Sequence, residues 1–258
     1  MSWSYLRQGE IGPVLVCLHG VGGNATAFQP QLHGLSEQLQ TWSLDLPGYG
    51  QSSPMEVMDW AGLALGLKQF FDLHQLRQVH LLGHSFGGML AQEFAARYPE
   101  YLASLILYAT SPAFGSSDGD FQQAFIAARL QPLDQGASMD QLATSMIENL
   151  LAKGAAPEVR QAAIDCMSQM PASTYRQAIT CITSFDCRHN LALLTMPCLL
   201  LAGDEDKNAN AGMMKKFASK IQGSEFYVFT GAGHLANLEQ AADFNQKVGA
   251  FIARQDLS

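Results

Sequence analysis

Residues Gly83-His84-Ser85-Phe86-Gly87-Gly88 follow the apolar run Val79–Leu82 and open a helix-patterned stretch from Met89 to Arg97. A G-x-S-x-G turn between a strand and a helix constrains this chain more than any other feature. It lifts the serine onto a sharp, strained bend, with its Oγ projecting above a sheet. The backbone folds back so tightly that a Cβ two positions to either side would collide. Gly83 and Gly87 avoid that collision, and Gly88 lets the helix pack closely. A plain glycine-rich turn would read the same way, so the weight of the motif rests on whether a base, an acid and an oxyanion site accompany it.

The rest of the chain repeats the strand-then-turn theme. Val14–Leu18 stops at His19-Gly20, Trp42–Leu44 at Asp45-Leu46-Pro47-Gly48, and Leu105–Tyr108 at Ala109-Thr110-Ser111-Pro112. Cys198–Ala202 stops at Gly203, and Phe226–Phe229 at Thr230-Gly231. Short continuous apolar runs alternating with helical patterns predict a largely parallel sheet buried on both faces. The opening segment Trp3–Leu6, ahead of Gly9 and Gly12-Pro13, suits an antiparallel edge hairpin. Between Gly115 and about His189 the alternation stops, and four helices are expected: Phe121–Leu130, Met139–Lys153, Glu158–Met170 and Ser173–Phe185. That block is an insertion on the sheet unit and reads as a cap beside the chemistry.

Composition narrows the partners. The chain has 258 residues, room for one large α/β domain or two small ones, and 15 basic against 23 acidic residues give a net charge of −8. No basic run offers footing for a phosphate backbone, so nucleic acid is not an expected partner. No apolar stretch approaches the roughly 20 residues that span a bilayer, and Met1–Gly12 lacks the basic start and apolar core of a signal peptide. Five scattered cysteines, with Cys17 and Cys198 inside strand-like runs and no C-x-x-C spacing, predict a reduced, cytoplasmic protein without a metal site. His80 and His84 lie four apart, but in a strand and its turn, so helical zinc spacing does not apply. Pro47-Gly48-Tyr49-Gly50 lacks the lysine and hydroxyl of a phosphate loop, and Gly20-x-Gly22-Gly23 is not a dinucleotide fingerprint. No cofactor is expected. The sequence specifies no oligomeric state.

A serine nucleophile needs a general base and a group to orient that base. Leu201-Ala202-Gly203-Asp204-Glu205-Asp206 places two aspartates in one strand-end loop. Gly231-Ala232-Gly233-His234 follows the last strand candidate and precedes a final helix, Ala236 to Ala253. Ser85, an aspartate at 204 or 206, and His234 all fall just beyond strand ends, where they can converge.

Five stretches in order carry a resemblance to the α/β-hydrolase superfamily over nearly the whole chain. They are His19–Gly23, Asp45–Ser52, Gly83–Gly88, Gly203-x-x-Asp206, and Gly233-His234 with Asn237–Gln240. The chain is similar to capped esterases, enol-lactonases and haloperoxidase-type members. The resemblance implies a mostly parallel α/β-hydrolase sheet flanked by helices, with an all-helical cap inserted after the sixth strand. The core would comprise residues 1–114 and 190–258, and the cap residues 115–189. It implies Ser85 as nucleophile, His234 as base and Asp206, ahead of Asp204, as the orienting acid. The backbone N–H groups of Val21 and Phe86 would form the oxyanion hole. His19 would brace the glycine loop, and His84 would line or support the pocket.

The activity so implied is hydrolysis of a carboxylic ester or lactone through an acyl-enzyme. Carbon–carbon bond hydrolysis and thioester hydrolysis are alternatives on the same residues, although carbon–carbon hydrolases usually carry Asn where this chain has His84. A non-catalytic ligand-binding protein on the same fold is the alternative of another class. Met139, Met146, Met167 and Met170 fall in the cap region and would suit an adaptable apolar pocket for a small, apolar or mixed substrate. No arginine cluster marks a strongly anionic substrate, although Arg129, Arg160, Arg176 and Arg188 of the cap region could contribute one.

Overall fold

In the computed structural model of the chain, which describes residues 2–115 and 119–255, seven strands form one sheet. They are β1 (Tyr5–Gln8), β2 (Val14–Leu18), β3 (Gln40–Leu44), β4 (Val79–His84), β5 (Leu102–Tyr108), β6 (Cys198–Gly203) and β7 (Glu225–Phe229). Their spatial order is β1-β3-β2-β4-β5-β6-β7, with β1 antiparallel and every other pairing parallel. The central strands are continuous apolar runs because helices cover both faces: Leu81, Leu82, Ile106, Leu107, Leu200 and Leu201 are fully buried.

The first strand is an antiparallel edge strand but not half of a hairpin with the next one. It pairs with β3, Tyr5 opposite Leu44 and Gln8 opposite Thr41, and leaves β2 inside the sheet. The crossing is made at Gly9 and Gly12, whose φ of 85° and 80° lie in the left-handed region. A Cβ at either would come within 2.0 Å of the carbonyl of Leu39 or Gln38.

Helices α1 (Gln29–Gly34), α2 (Trp60–Leu73) and α3 (Phe86–Arg97) link the early strands. Asp59 caps α2 by accepting from the Gly62 amide at 2.7 Å. Four helices then leave the sheet: α4 (Gly119–Asp134), α5 (Met139–Leu150), α6 (Pro157–Ser168) and α7 (Ala172–Ile182). Ser138 and Gln141 form a reciprocal capping box at the start of α5, and Pro157 opens α6. This helical segment follows the fifth strand, not the sixth, because only five segments ahead of Gly115 pair into the sheet. Residues 1, 116–118 and 256–258, which fall within the expected core and cap boundaries, lie outside the described residues.

The chain closes with α8 (Ala211–Ala218), α9 (Ala236–Glu239) and α10 (Ala241–Gln255). The single final helix expected from Ala236 is thus broken at Gln240, whose backbone leaves the helical region and whose side-chain Nε2 donates to the Thr230 carbonyl at 2.6 Å. Among the described residues no helix is long and apolar enough to cross a membrane.

The strand order sets where a site can form. From β2 the chain steps to β3 on one side, whereas from β4 it steps to β5, β6 and β7 on the other. At such a reversal, the loops leaving the carboxyl ends of the two neighbouring strands turn apart and open a crevice. The loop after β2 carries Val21, and the turn after β4 carries Ser85.

Candidate active site

Ser85 sits at the sharp bend between β4 and α3, with φ 52° and ψ −114°. This is a left-handed conformation that costs a non-glycine residue roughly 1–3 kcal/mol. Two contacts hold it there. The Ser85 amide donates to the Tyr108 carbonyl at 2.9 Å, and the Thr110 hydroxyl donates to the Ser85 carbonyl at 2.8 Å. The glycines are required by close approach: a Cβ on Gly83 would lie 2.4 Å from the Gly87 carbonyl oxygen, and one on Gly87 would lie 2.3 Å from that of Leu18.

The loop after β2 packs directly on this bend, since a Cβ on Gly20 would meet the Ser85 Cβ at 3.2 Å. His19 braces the loop. One ring nitrogen donates to the Gly20 carbonyl at 2.8 Å, and the other accepts from the Leu46 amide at 3.1 Å. Burial pulls this imidazole down to about 4, so it stays neutral and holds both bonds. Asp45 supports the same loop by accepting from the Ala25 amide at 2.6 Å. The amides of Val21 and Phe86, the latter at the first position of α3, donate to no protein acceptor among the described residues.

His234 and Asp206 meet from different loops. His234 Nδ1 lies 2.7 Å from Asp206 Oδ2, and Asp206 is 3 % exposed. The other carboxylate oxygen accepts from the amides of Asn208 at 2.7 Å and Ala209 at 3.1 Å. Burial pushes the Asp206 carboxyl up, but the His234 charge and hydrogen bond, with those two amides, outweigh burial and hold it below the usual carboxylate range. Asp204 does not touch His234. Its carboxylate accepts from the Gly231 amide at 2.7 Å, a brace for the neighbouring loop.

Three further side chains position His234: His84, expected from the sequence to line or support the pocket, and Tyr108 and Glu239, to which the sequence assigned no role. The His234 carbonyl accepts from the Tyr108 hydroxyl at 2.7 Å and from His84 Nε2 at 3.0 Å. Burial, reinforced by the nearby His234 charge, drives His84 well below the usual imidazole range, so it acts as a neutral donor. Glu239 accepts from the amides of Gly233 at 3.1 Å, Leu235 at 3.2 Å and Ala152 at 2.8 Å. The last contact, with the His234 amide donating to the Leu150 carbonyl at 2.7 Å, ties the histidine loop to the end of α5.

Ser85, His84, Val21 and His234 all line one cavity of about 720 Å³, within the range of small-molecule sites. The helical segment supplies much of its wall, including Phe125, Ile147, Val159, Met167 and Ile179. Of the methionines singled out in the sequence, Met146 and Met167 face this cavity, and a Cβ on Gly22 would meet the Met167 sulfur at 3.0 Å. All five cysteines are unpaired, and among the described residues no cluster of potential metal ligands occurs.

A comparison with protein families matches residues 13–241 to the alpha/beta hydrolase fold. The chain belongs to this family. Among relatives of this chain is the pimeloyl-[acyl-carrier protein] methyl ester esterase of Vibrio vulnificus strain YJ016, 26 % identical over 261 residues and covering 96 % of each chain. The biotin biosynthesis bifunctional protein BioHC of Cellvibrio japonicus is 28 % identical over 234 residues, 88 % of this chain, which spans only 45 % of that protein. Among solved structures, a malate-bound thermophilic esterase from Thermogutta terrifontis superimposes with a TM-score of 0.87 at 25 % identity, covering 98 % of this chain and 93 % of its own.

Proposed function

We propose that the protein is a serine hydrolase that cleaves a carboxylic ester or lactone through an acyl-enzyme. The observation that carries this reading is the convergence of a strained Ser85 with a His234–Asp206 pair on one cavity. His234, its Nδ1–H held by Asp206, takes the Ser85 proton on Nε2 as Oγ attacks the carbonyl carbon. The amides of Val21 and Phe86 receive the developing oxyanion. His234 then gives its proton to the leaving alkoxide, and water, activated by the same imidazole, releases the acid. Ester hydrolysis by the relatives named above supports the reaction class.

The helical segment from 115 to 189 serves as the cap that shapes substrate choice, and a cavity walled by aliphatic and aromatic side chains suits an apolar or mixed small molecule. Five unpaired cysteines suit a reducing compartment, the cytoplasm. A fluorophosphonate probe tests the reading. The wild type is expected to label at neutral pH and Ser85→Ala to remain unlabelled; a wild type that stays unlabelled overturns it and favours a ligand-binding protein.

A further inference from the structure

The four arginines of the helical segment have different fates. Arg160 pairs with Glu148, Arg176 with Asp134 at 2.6 Å, and Arg188 with Asp186. Arg129 pairs with none: among the described residues it makes no ion pair and no hydrogen bond, and it lines the cavity. It stands on the face of α4 that also presents Phe121 and Phe125, at four-residue intervals. The guanidinium carbon lies 5.3 Å from the centre of the Phe125 ring, and Phe125 is itself seated edge-on against Phe114 at 4.7 Å. A guanidinium laid against an aromatic ring keeps its N–H edges available for a planar acceptor.

An arginine with five donors and no acceptor, half-buried on an apolar wall, is placed to receive an anion. Among the described residues the cavity's one lining carboxylate, Glu158, is exposed in the first turn of α6, where water and the positive end of the helix answer its charge. Burial raises the Cys166 thiol, which therefore adds no anion. A single fork matches a monoanion. A phosphate dianion would call for more positive charge than one arginine, in a chain whose net charge is −8.

Resting on the hydrolase reading above, we infer that the substrate carries a carboxylate apart from its scissile ester, and that Arg129 receives it. The preferred molecules are then half-esters of dicarboxylic acids, or esters whose alcohol bears an acid group.

Two series of matched esters test this. In one the acyl chain ends in a carboxylate, from succinate to suberate, and in the other the carboxylate is on the alcohol; each acid is paired with a neutral ester of the same shape. The readout is the kcat/KM ratio of acid to neutral partner, so a general loss of activity in a variant cancels. In one series Arg129→Gln is expected to lower that ratio about tenfold to a hundredfold, mainly through KM, with part regained in Arg129→Lys. Ratios unchanged within about twofold in both series overturn the inference.

Calorimetry on Ser85→Ala and on Ser85→Ala with Arg129→Gln reads the same contact without turnover, using dicarboxylates and monocarboxylates of equal length. Equal affinities in the two proteins overturn the inference. A dicarboxylate preference that is lost with Arg129, in a protein whose wild type fails to label, leaves the subsite standing and removes the hydrolase reading instead.

Discussion

Replacing Asp206 by asparagine keeps the shape of the side chain and changes only what it offers His234. Oδ1 of Asp206 accepts from two backbone amides, at 2.7 and 3.1 Å, while Oδ2 faces His234 Nδ1 at 2.7 Å. An asparagine that keeps the first pair of bonds must turn its NH₂ toward the histidine. Nδ1 then has to accept, the ring proton moves to Nε2, and the base can no longer take a proton from Ser85. The opposite orientation points the NH₂ at one buried and one part-buried amide donor. Leaving the buried one unsatisfied costs about 1–3 kcal/mol, and the part-buried one brings the total to about 2 kcal/mol or more. At about 1.4 kcal/mol per factor of ten, the productive orientation is held to a few per cent or less. The variant also loses the negative charge that stabilises the imidazolium. A fall in kcat of about 10³- to 10⁴-fold follows, with the protein still folded.

Asp204→Asn is the internal control. Its carboxylate bonds only the exposed Gly231 amide, and asparagine can keep that bond through its own oxygen. A change in kcat below about threefold is expected. Turnover of p-nitrophenyl acetate, with circular dichroism to confirm folding, measures both. A loss at 204 equal to that at 206, or an Asp206→Asn enzyme within about tenfold of wild type, would refute the reasoning.

Other substitutions probe the frame. Ser85→Gly should remove the strain at φ 52° and raise stability by about 1 kcal/mol in urea unfolding while abolishing turnover; a less stable variant contradicts stored strain at the bend. Gly83→Ala forces a Cβ within 2.4 Å of the Gly87 carbonyl, and should cost about 1–3 kcal/mol or more and lower turnover; a variant as stable as wild type shows that the turn can relax. Burial holds the Glu239 carboxyl above its usual range despite the amides it accepts from, so the folded state binds its proton more tightly than the unfolded chain does. As pH rises from the ordinary carboxylate range, the wild type should therefore lose stability relative to Glu239→Gln, and the reverse slope in paired melting curves would count against this assignment. Asp206, whose carboxyl is depressed, should give the opposite sign against Asp206→Asn: its contribution is present at neutral pH and disappears as pH falls through the folded value.

The parts of the site that can be read in the sequence are those with strict local geometry. Gly83, Ser85 and Gly87 are legible because one strained φ, and backbone oxygens that a Cβ on either glycine would approach to within 2.5 Å, leave few other residues possible there. The inner strands are legible because they are buried on both faces and so carry unbroken apolar runs, as in β4. Pairing order is not local. Tyr5–Gln8 looks like half of a hairpin, yet its partner β3 lies more than thirty residues away, and only the crossing at Gly9 and Gly12 hints at it. The roles of Tyr108 and of Glu239, the latter inside the Asn237–Gln240 stretch, escape notice for a similar reason. Each acts on His234 through backbone atoms, and any polar residue at a strand end or helix start carries the same surface signature.

The two carboxylates around His234 divide the work of holding it. Asp206 bonds the imidazole, and Glu239 bonds the backbone on either side of the residue. Because Glu239 also accepts from the Ala152 amide, and the Leu150 carbonyl accepts from the His234 amide, the end of α5 shares hydrogen bonds with the histidine loop. Helix α5 therefore cannot move away from the sheet without displacing His234. Helix α4, which carries Phe121, Phe125 and Arg129 into the cavity, has no such bond to that loop among the described residues. Adjustment to substrates of different shape is thus expected at α4, and hydrogen exchange can distinguish the two elements. The Ala152 and His234 amides should rank with the sheet in protection, whereas the α4 amides should exchange through local opening at lower free energy.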